Sequence, residues 1–68
     1  MTLLLVEQIK QRRKVLDITQ ETLADISGVS IRTLKQFESG KGNPTLETLL
    51  KVCDVLGLEL TLEVKTAK

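Results

Sequence analysis

The sequence has no histidine, tryptophan or tyrosine, and it holds one cysteine (Cys53), one proline (Pro44) and one aromatic side chain (Phe37). Without histidine it lacks the commonest metal ligand and the usual general base near neutral pH. A single cysteine cannot close an internal disulfide and fits a reducing compartment. Nucleophilic catalysis would need a carboxylate or lysine beside Ser, Thr or Cys, and no such arrangement is visible. Cys53, set among Leu49, Leu50, Val52 and Leu56, reads as a small core residue. Gly40-Lys41-Gly42 misses the GxxxxGK[ST] spacing of a phosphate loop, and no strand precedes it. No enzyme activity, metal or cofactor is therefore expected. Long apolar runs are also missing. Met1 to Val6 is largely apolar, but it has no basic leader and stops at Glu7, so neither a secretory signal nor a membrane span is read and a cytoplasmic location is expected.

The 68 residues are 41% hydrophobic and 28% charged, the balance of one folded domain. The apolar volume comes from Leu, Ile and Val, with leucine alone at 13 positions, which implies helices packed through aliphatic side chains. So short a chain buries only about 60% of its unfolded surface and usually needs a disulfide, a metal or oligomerisation. With the first two excluded, oligomerisation is what remains.

Gly28, the run from Gly40 to Pro44, and Gly57 cut the chain into four pieces. The first, roughly Thr2 to Leu16, places Val6, Ile9 and Leu16 on one face, with Arg13 on the same stripe. Thr19 is a good N-cap for a helix from Gln20 to Ser27, with Leu23, Ala24 and Ile26 available for burial. Ser30 caps a third helix over about Ile31 to Ser39. Pro44 pushes Asn43 out of helical angles, and Thr45 caps a fourth helix through Leu56, with Leu46, Leu49, Leu50, Cys53 and Leu56 as its inward face. After Gly57 the period changes: Leu58, Leu60, Leu62 and Val64 alternate with Glu59, Thr61, Glu63 and Lys65, the pattern of a strand. A lone strand needs a partner. Either the same strand of a second molecule pairs with it antiparallel about a two-fold axis, or residues Thr2 to Val6 do so within the chain.

Residues 1–44 hold seven Lys/Arg against five Asp/Glu, and residues 45–68 hold three against four, so the net charge of +1 hides a basic first part. Lys10, Arg12, Arg13 and Lys14 cluster there, with Arg32, Lys35 and Lys41 further on. At about 100° per residue, Leu34, Phe37 and Glu38 share one side of the third helix, while Arg32, Lys35, Gln36 and Ser39 share the other. A polar solvent face would look the same. The same groups can also read DNA: arginine suits guanine, glutamine suits adenine, and lysine most often meets phosphate.

Gln20 to Phe37 reads Q-x-x-x-A-x-x-x-G-x-x-x-x-x-L-x-x-F, with Ala24 at a helix crossing, Gly28 at the turn, and Leu34 and Phe37 seating the next helix. That is helix-turn-helix spacing. With Thr19 before it, and Glu38-Ser39-Gly40-Lys41 and Asn43-Pro44-Thr45-Leu46-Glu47 after it, the chain over roughly residues 5 to 57 resembles the lambda-repressor-like (Cro-type, XRE) helix-turn-helix family of phage and bacterial regulators. The resemblance implies that Ser30, Ile31, Arg32 and Gln36 face base edges in the major groove. It implies that Gln20 meets phosphate and braces the recognition helix, that Lys35 and Lys41 meet phosphate, and that Arg13 and Glu38 form a buried ion pair. The stripe positions of those two charges agree with the last point, because an unpaired charge there would be costly. Ile31 stands where a polar residue is usual, and either touches a thymine methyl or packs at the helix edge. The alternating tail is similar to that of the HipB-like antitoxins, which dimerise through a C-terminal strand, repress their own operon and hold a HipA-like kinase toxin inactive.

The expectation is thus a mainly all-α fold, a four-helix lambda-repressor-like domain over residues 1–57, followed by a dimerisation strand and tail over residues 58–68 that pairs through Leu58, Leu60, Leu62 and Val64 across a homodimer. The expected function is sequence-specific binding of an inverted-repeat double-stranded DNA operator, as a repressor and as the antitoxin of a toxin-antitoxin pair. The alternatives are a stand-alone phage or bacterial regulator, and a protein-interaction adaptor in which DNA binding is secondary.

Overall fold

The computed structural model describes residues 3–61, with side chains from Leu4 onward. They form four helices: α1 (Leu3–Val15), α2 (Gln20–Ser27), α3 (Ile31–Glu38) and α4 (Leu46–Leu56). None is long and apolar enough to cross a membrane. Three of the four starts use one local device. Thr19, Ser30 and Thr45 are extended residues whose hydroxyls accept the N–H three residues on, from Thr22, Thr33 and Thr48. Each cap hydroxyl also donates to the hydroxyl of that same threonine, at 3.0, 2.8 and 3.1 Å. Each side chain thus satisfies one of the amides that a helix start leaves unpaired, a contribution of about 1 kcal/mol per cap.

Helix α2 packs on α3 and α4, and α1 closes the other side of the same two helices. Between them Val6, Ile9, Leu23, Leu34 and Leu56 are at most 2% exposed, with Phe37, Val52 and Cys53 beside them. Each large aliphatic side chain so buried contributes about 1.5–3 kcal/mol, which is how two-turn helices, too short to persist alone, are held. Ala24 lies in the core because α2 touches both α3 and α4, and a larger side chain would hold them apart.

Several expected core positions lie elsewhere. Leu16 is not on the inner face of α1: the helix ends at Val15, and Leu16 sits 40% exposed in the turn that Asp17 makes at φ 57°. Ile26 is 61% exposed, and Ser27 is buried in its place, its hydroxyl accepting from the N–H of Val29. On α4 the buried arc is Leu49, Val52, Cys53 and Leu56, whereas Leu46 and Leu50 stand 62% and 48% exposed. For Ile26, Leu46 and Leu50 the apolar pattern is wider than the face that α2 and α4 bury against their neighbours. Residues 3–6, the alternative strand partner for the tail, are helical, so that pairing is overturned. Among the described residues Leu58–Thr61 form no strand; Leu62, Val64 and the rest of the expected strand lie outside the described residues.

Candidate nucleic-acid interface

Gly28, Val29 and Ser30 turn the chain from α2 into α3. Gly28 takes φ 77°, a left-handed conformation that glycine adopts without strain, and its N–H donates to the Ala24 carbonyl at 3.0 Å. Val29 is buried and anchors the turn from inside. Helix α3 then buries Leu34, Phe37 and Glu38, which leaves Arg32, Lys35 and Gln36 exposed together on the opposite face. An α-helix is about 10–12 Å across with its side chains, a fit to the roughly 12 Å width of the B-DNA major groove.

Glu38 is the point where three helices meet. Its side chain is 3% exposed, and Arg13 of α1 grips it with both arms of its fork, Nε donating to Oε2 at 2.8 Å and Nη2 to Oε1 at 2.9 Å. Arg13 Nη1 donates to the Ile18 carbonyl at 2.9 Å, which holds the turn after α1. Half-buried Gln20 of α2 donates from Nε2 to Glu38 Oε1 at 3.1 Å. The hydrogen bond to Glu38 raises the Arg13 pKa above the ordinary arginine value, with burial opposing it. The buried carboxylate therefore ties α1 and α2 to the end of α3, which fixes the helix that carries Arg32.

The loop after α3 is drawn onto the same helix. The Gln36 carbonyl accepts from the Lys41 and Gly42 amides, both at 3.0 Å, and from the Ser39 hydroxyl at 2.8 Å. A side chain on Gly42 would put Cβ 3.1 Å from the Phe37 nitrogen and 3.3 Å from the Gln36 carbonyl carbon, so glycine permits the close approach. Lys41 is thereby held beside the end of α3, exposed like Lys35.

The structure divides the basic residues into two groups. Arg13 is engaged inside. Arg12 Nε donates to the Leu56 carbonyl at 2.8 Å, closing the C-terminal end of α4, where a cation is favoured. Lys10 lies 3.9 Å from Glu7. Nothing in the sequence marked Arg12 as a clamp, because its partner is 44 positions away and is a backbone atom. Arg32, Lys35 and Lys41 make no ion pair among the described residues. Ser30 is exposed with its hydroxyl engaged in the helix cap, and Ile31 is half-buried against the core at the start of α3. Gln20, Ser30, Ile31, Arg32, Lys35, Gln36 and Lys41 thus lie on or beside one edge of the molecule formed by α3 and the ends that flank it. Leu58 and Leu60 lie away from it, half-buried against α4. An edge of unpaired cations, one of them an arginine, beside an amide, on a helix that α1 and α2 brace, suits a polyanion with readable base edges.

A helix-turn-helix family profile matches residues 9–62. The chain is 39% identical over 54 residues to the cryptic phage CTXphi transcriptional repressor RstR of Vibrio cholerae, a match that takes in 79% of this chain and 48% of that protein. It is 38% identical over 58 residues to an HTH-type transcriptional regulator of Haemophilus influenzae, covering 85% of this chain and 59% of that one. A third relative, the SPbeta prophage-derived HTH-type transcriptional regulator YonR of Bacillus subtilis, is 33% identical over 52 residues, covering 76% and 48%. The chain spans about half the length of the curated relatives it matches.

Proposed function

This chain belongs to the Cro-type (XRE) helix-turn-helix family of DNA-binding regulators, and from that premise we propose that it is a repressor that reads an inverted-repeat operator as a homodimer. The observation that carries the reading is the exposed Arg32, Lys35 and Gln36 face on a helix whose other face is fixed by Leu34, Phe37 and Glu38. Arg32 and Gln36 read bases, with Ser30 and Ile31 at the groove edge; Gln20, Lys35 and Lys41 hold phosphates. Each copy contributes residues 1–57 as the reading unit and residues 58–68 as the joining tail, through Leu58, Leu60, Leu62 and Val64. The two recognition helices meet half-sites about one helical turn apart, roughly 34 Å. Named likenesses to a phage repressor and a prophage-derived regulator support the repressor reading.

The test is selection of bound duplexes from a random pool, followed by titration of the selected site. Arg32→Ala is expected to weaken specific binding by about 1–3 kcal/mol and to relax one base position. Unchanged affinity together with unchanged base preference would refute the assignment.

A second reading, the antitoxin of a HipA-like kinase in the cytoplasm, is favoured by one observation. Leu4 and Val15 stand 68% and 62% exposed on the stripe of α1 that also carries Gln8 and Gln11, opposite the core. Such a face suits a protein partner independently of α3. A neighbouring kinase-like reading frame whose product is inhibited by this chain, with the inhibition lost in Val15→Glu, decides for it; absence of such inhibition leaves the stand-alone repressor.

A further inference from the structure

At the start of α3 two side chains precede Arg32 on the candidate DNA edge, and they differ in what they have left to offer. The Ser30 hydroxyl donates to Thr33 Oγ1 at 2.8 Å and accepts from the Thr33 amide at 3.1 Å, so its proton is committed to the helix cap. Ile31 offers only carbon. Part of it packs on the core, and the rest lines a shallow open concavity of about 420 Å³ where α2 turns into α3, together with Ala24, Gly28 and Val29. Glu21 and Asp25, both exposed, complete the lining. Space remains over the turn, because a Cβ on Gly28 would meet nothing within 4 Å. Packing on one side and the branch at Cβ hold Ile31 in place before anything binds.

What such a seat accepts follows from the major-groove edges of the bases. All four present hydrogen-bond donors or acceptors there, and thymine alone adds an apolar group, its C5 methyl. A polar edge set against Ile31 loses water without gaining a partner, which is costly, whereas a methyl gains from the contact. The two carboxylates further disfavour guanine, whose groove edge carries only acceptors. We propose that Ile31 is a specificity-determining residue that seats the C5 methyl group of a pyrimidine in the concavity beside Gly28. Thymine and 5-methylcytosine both carry that methyl, and the second also presents an amine donor to the acidic rim. The inference rests on the base-reading function proposed above and adds a base class to it.

The experiment uses the full chain and the duplex it selects. Replacing each thymine in turn by deoxyuridine removes one methyl and leaves the hydrogen-bonding edge unchanged. With the wild-type chain, one position in each half-site is expected to lose about fourfold in affinity, the worth of one buried methyl. In Ile31→Ala that loss should vanish while the base preference that depends on Arg32 stays, with circular dichroism melts showing that the helices are retained. At the same position cytosine should bind weakly. Recovery by 5-methylcytosine to or beyond the level of thymine assigns the methylated base as a ligand, and recovery short of that level assigns thymine. A selected duplex with no methyl-sensitive position, or a sensitivity unchanged in Ile31→Ala, overturns the inference and leaves base reading by Arg32 in place. A chain that selects no duplex overturns both.

Discussion

Replacing Arg13 by methionine keeps most of the side chain's volume and removes its charge. It would strand Glu38, whose side chain is 3% exposed, with one remaining donor, the Gln20 amide at 3.1 Å. Breaking a buried ion pair from one side costs about 3–5 kcal/mol. Arg13 is 13% exposed, so some water reaches the pair and the lower figure, about 3 kcal/mol, applies. At about 0.05–0.15 kcal/mol per residue the whole chain is stable by roughly 3–10 kcal/mol, so the variant should stand close to unfolding. The midpoint of thermal unfolding should fall by roughly 12–24 °C, at about 4–8 °C per kcal/mol for a domain of this size. With no tryptophan or tyrosine to report, the assay is far-ultraviolet circular dichroism against temperature and urea. The double variant Arg13→Met/Glu38→Leu should recover most of the loss, because no buried charge is left. It should stay about 1 kcal/mol short, because the Ile18 carbonyl loses its donor. A single variant within about 1 kcal/mol of wild type would refute the reasoning, and so would a double variant no better than the single.

Three further outcomes follow from the same geometry. If Lys35 and Lys41 of both copies meet phosphate, the logarithm of operator affinity should fall with that of salt at a slope of about −4, and Lys41→Ala should lower the slope by about 2; a flat profile would exclude phosphate contact. Gly42→Ala should cost about 1–3 kcal/mol, because its Cβ meets backbone at 3.1 and 3.3 Å, and equal stability in a thermal melt would show that the loop can move aside. Burial raises the Cys53 thiol above its ordinary value, so the fold favours the neutral thiol. That contribution is present below the ordinary thiol value and is lost as pH rises through the raised one. Urea midpoints of wild type and Cys53→Ala should therefore converge with rising alkaline pH, and a constant gap would count against a desolvated thiol.

Much of this architecture can be read locally. Thr19, Ser30 and Thr45 mark the helix starts because a capping hydroxyl acts within three residues, and Gly28 and Gly57 mark ends because a left-handed cap is a property of one residue. The spacing from Gln20 to Phe37 fixes which side of α3 faces inward, and so which side offers Arg32, Lys35 and Gln36. Periodicity failed where the width of a contact mattered. Leu46, Leu50 and Ile26 belong to apolar patterns wider than the face that α4 and α2 bury against their neighbours, and Leu16 continues a helix that ends one residue earlier.

Sequence alone indicated the four helices and the helix-turn-helix, and left no pair of cysteines for an internal disulfide among these 68 residues, since each depends on residues near one another or on composition. The Arg13–Glu38 pair was already indicated by stripe position and resemblance, but only the tertiary structure put Arg12 on the Leu56 carbonyl, against Arg32, Lys35 and Lys41 outside. Nothing local to Arg12 sets it apart from the cations left outside; its partner lies 44 positions away and is within hydrogen-bonding reach only because the fold brings it there.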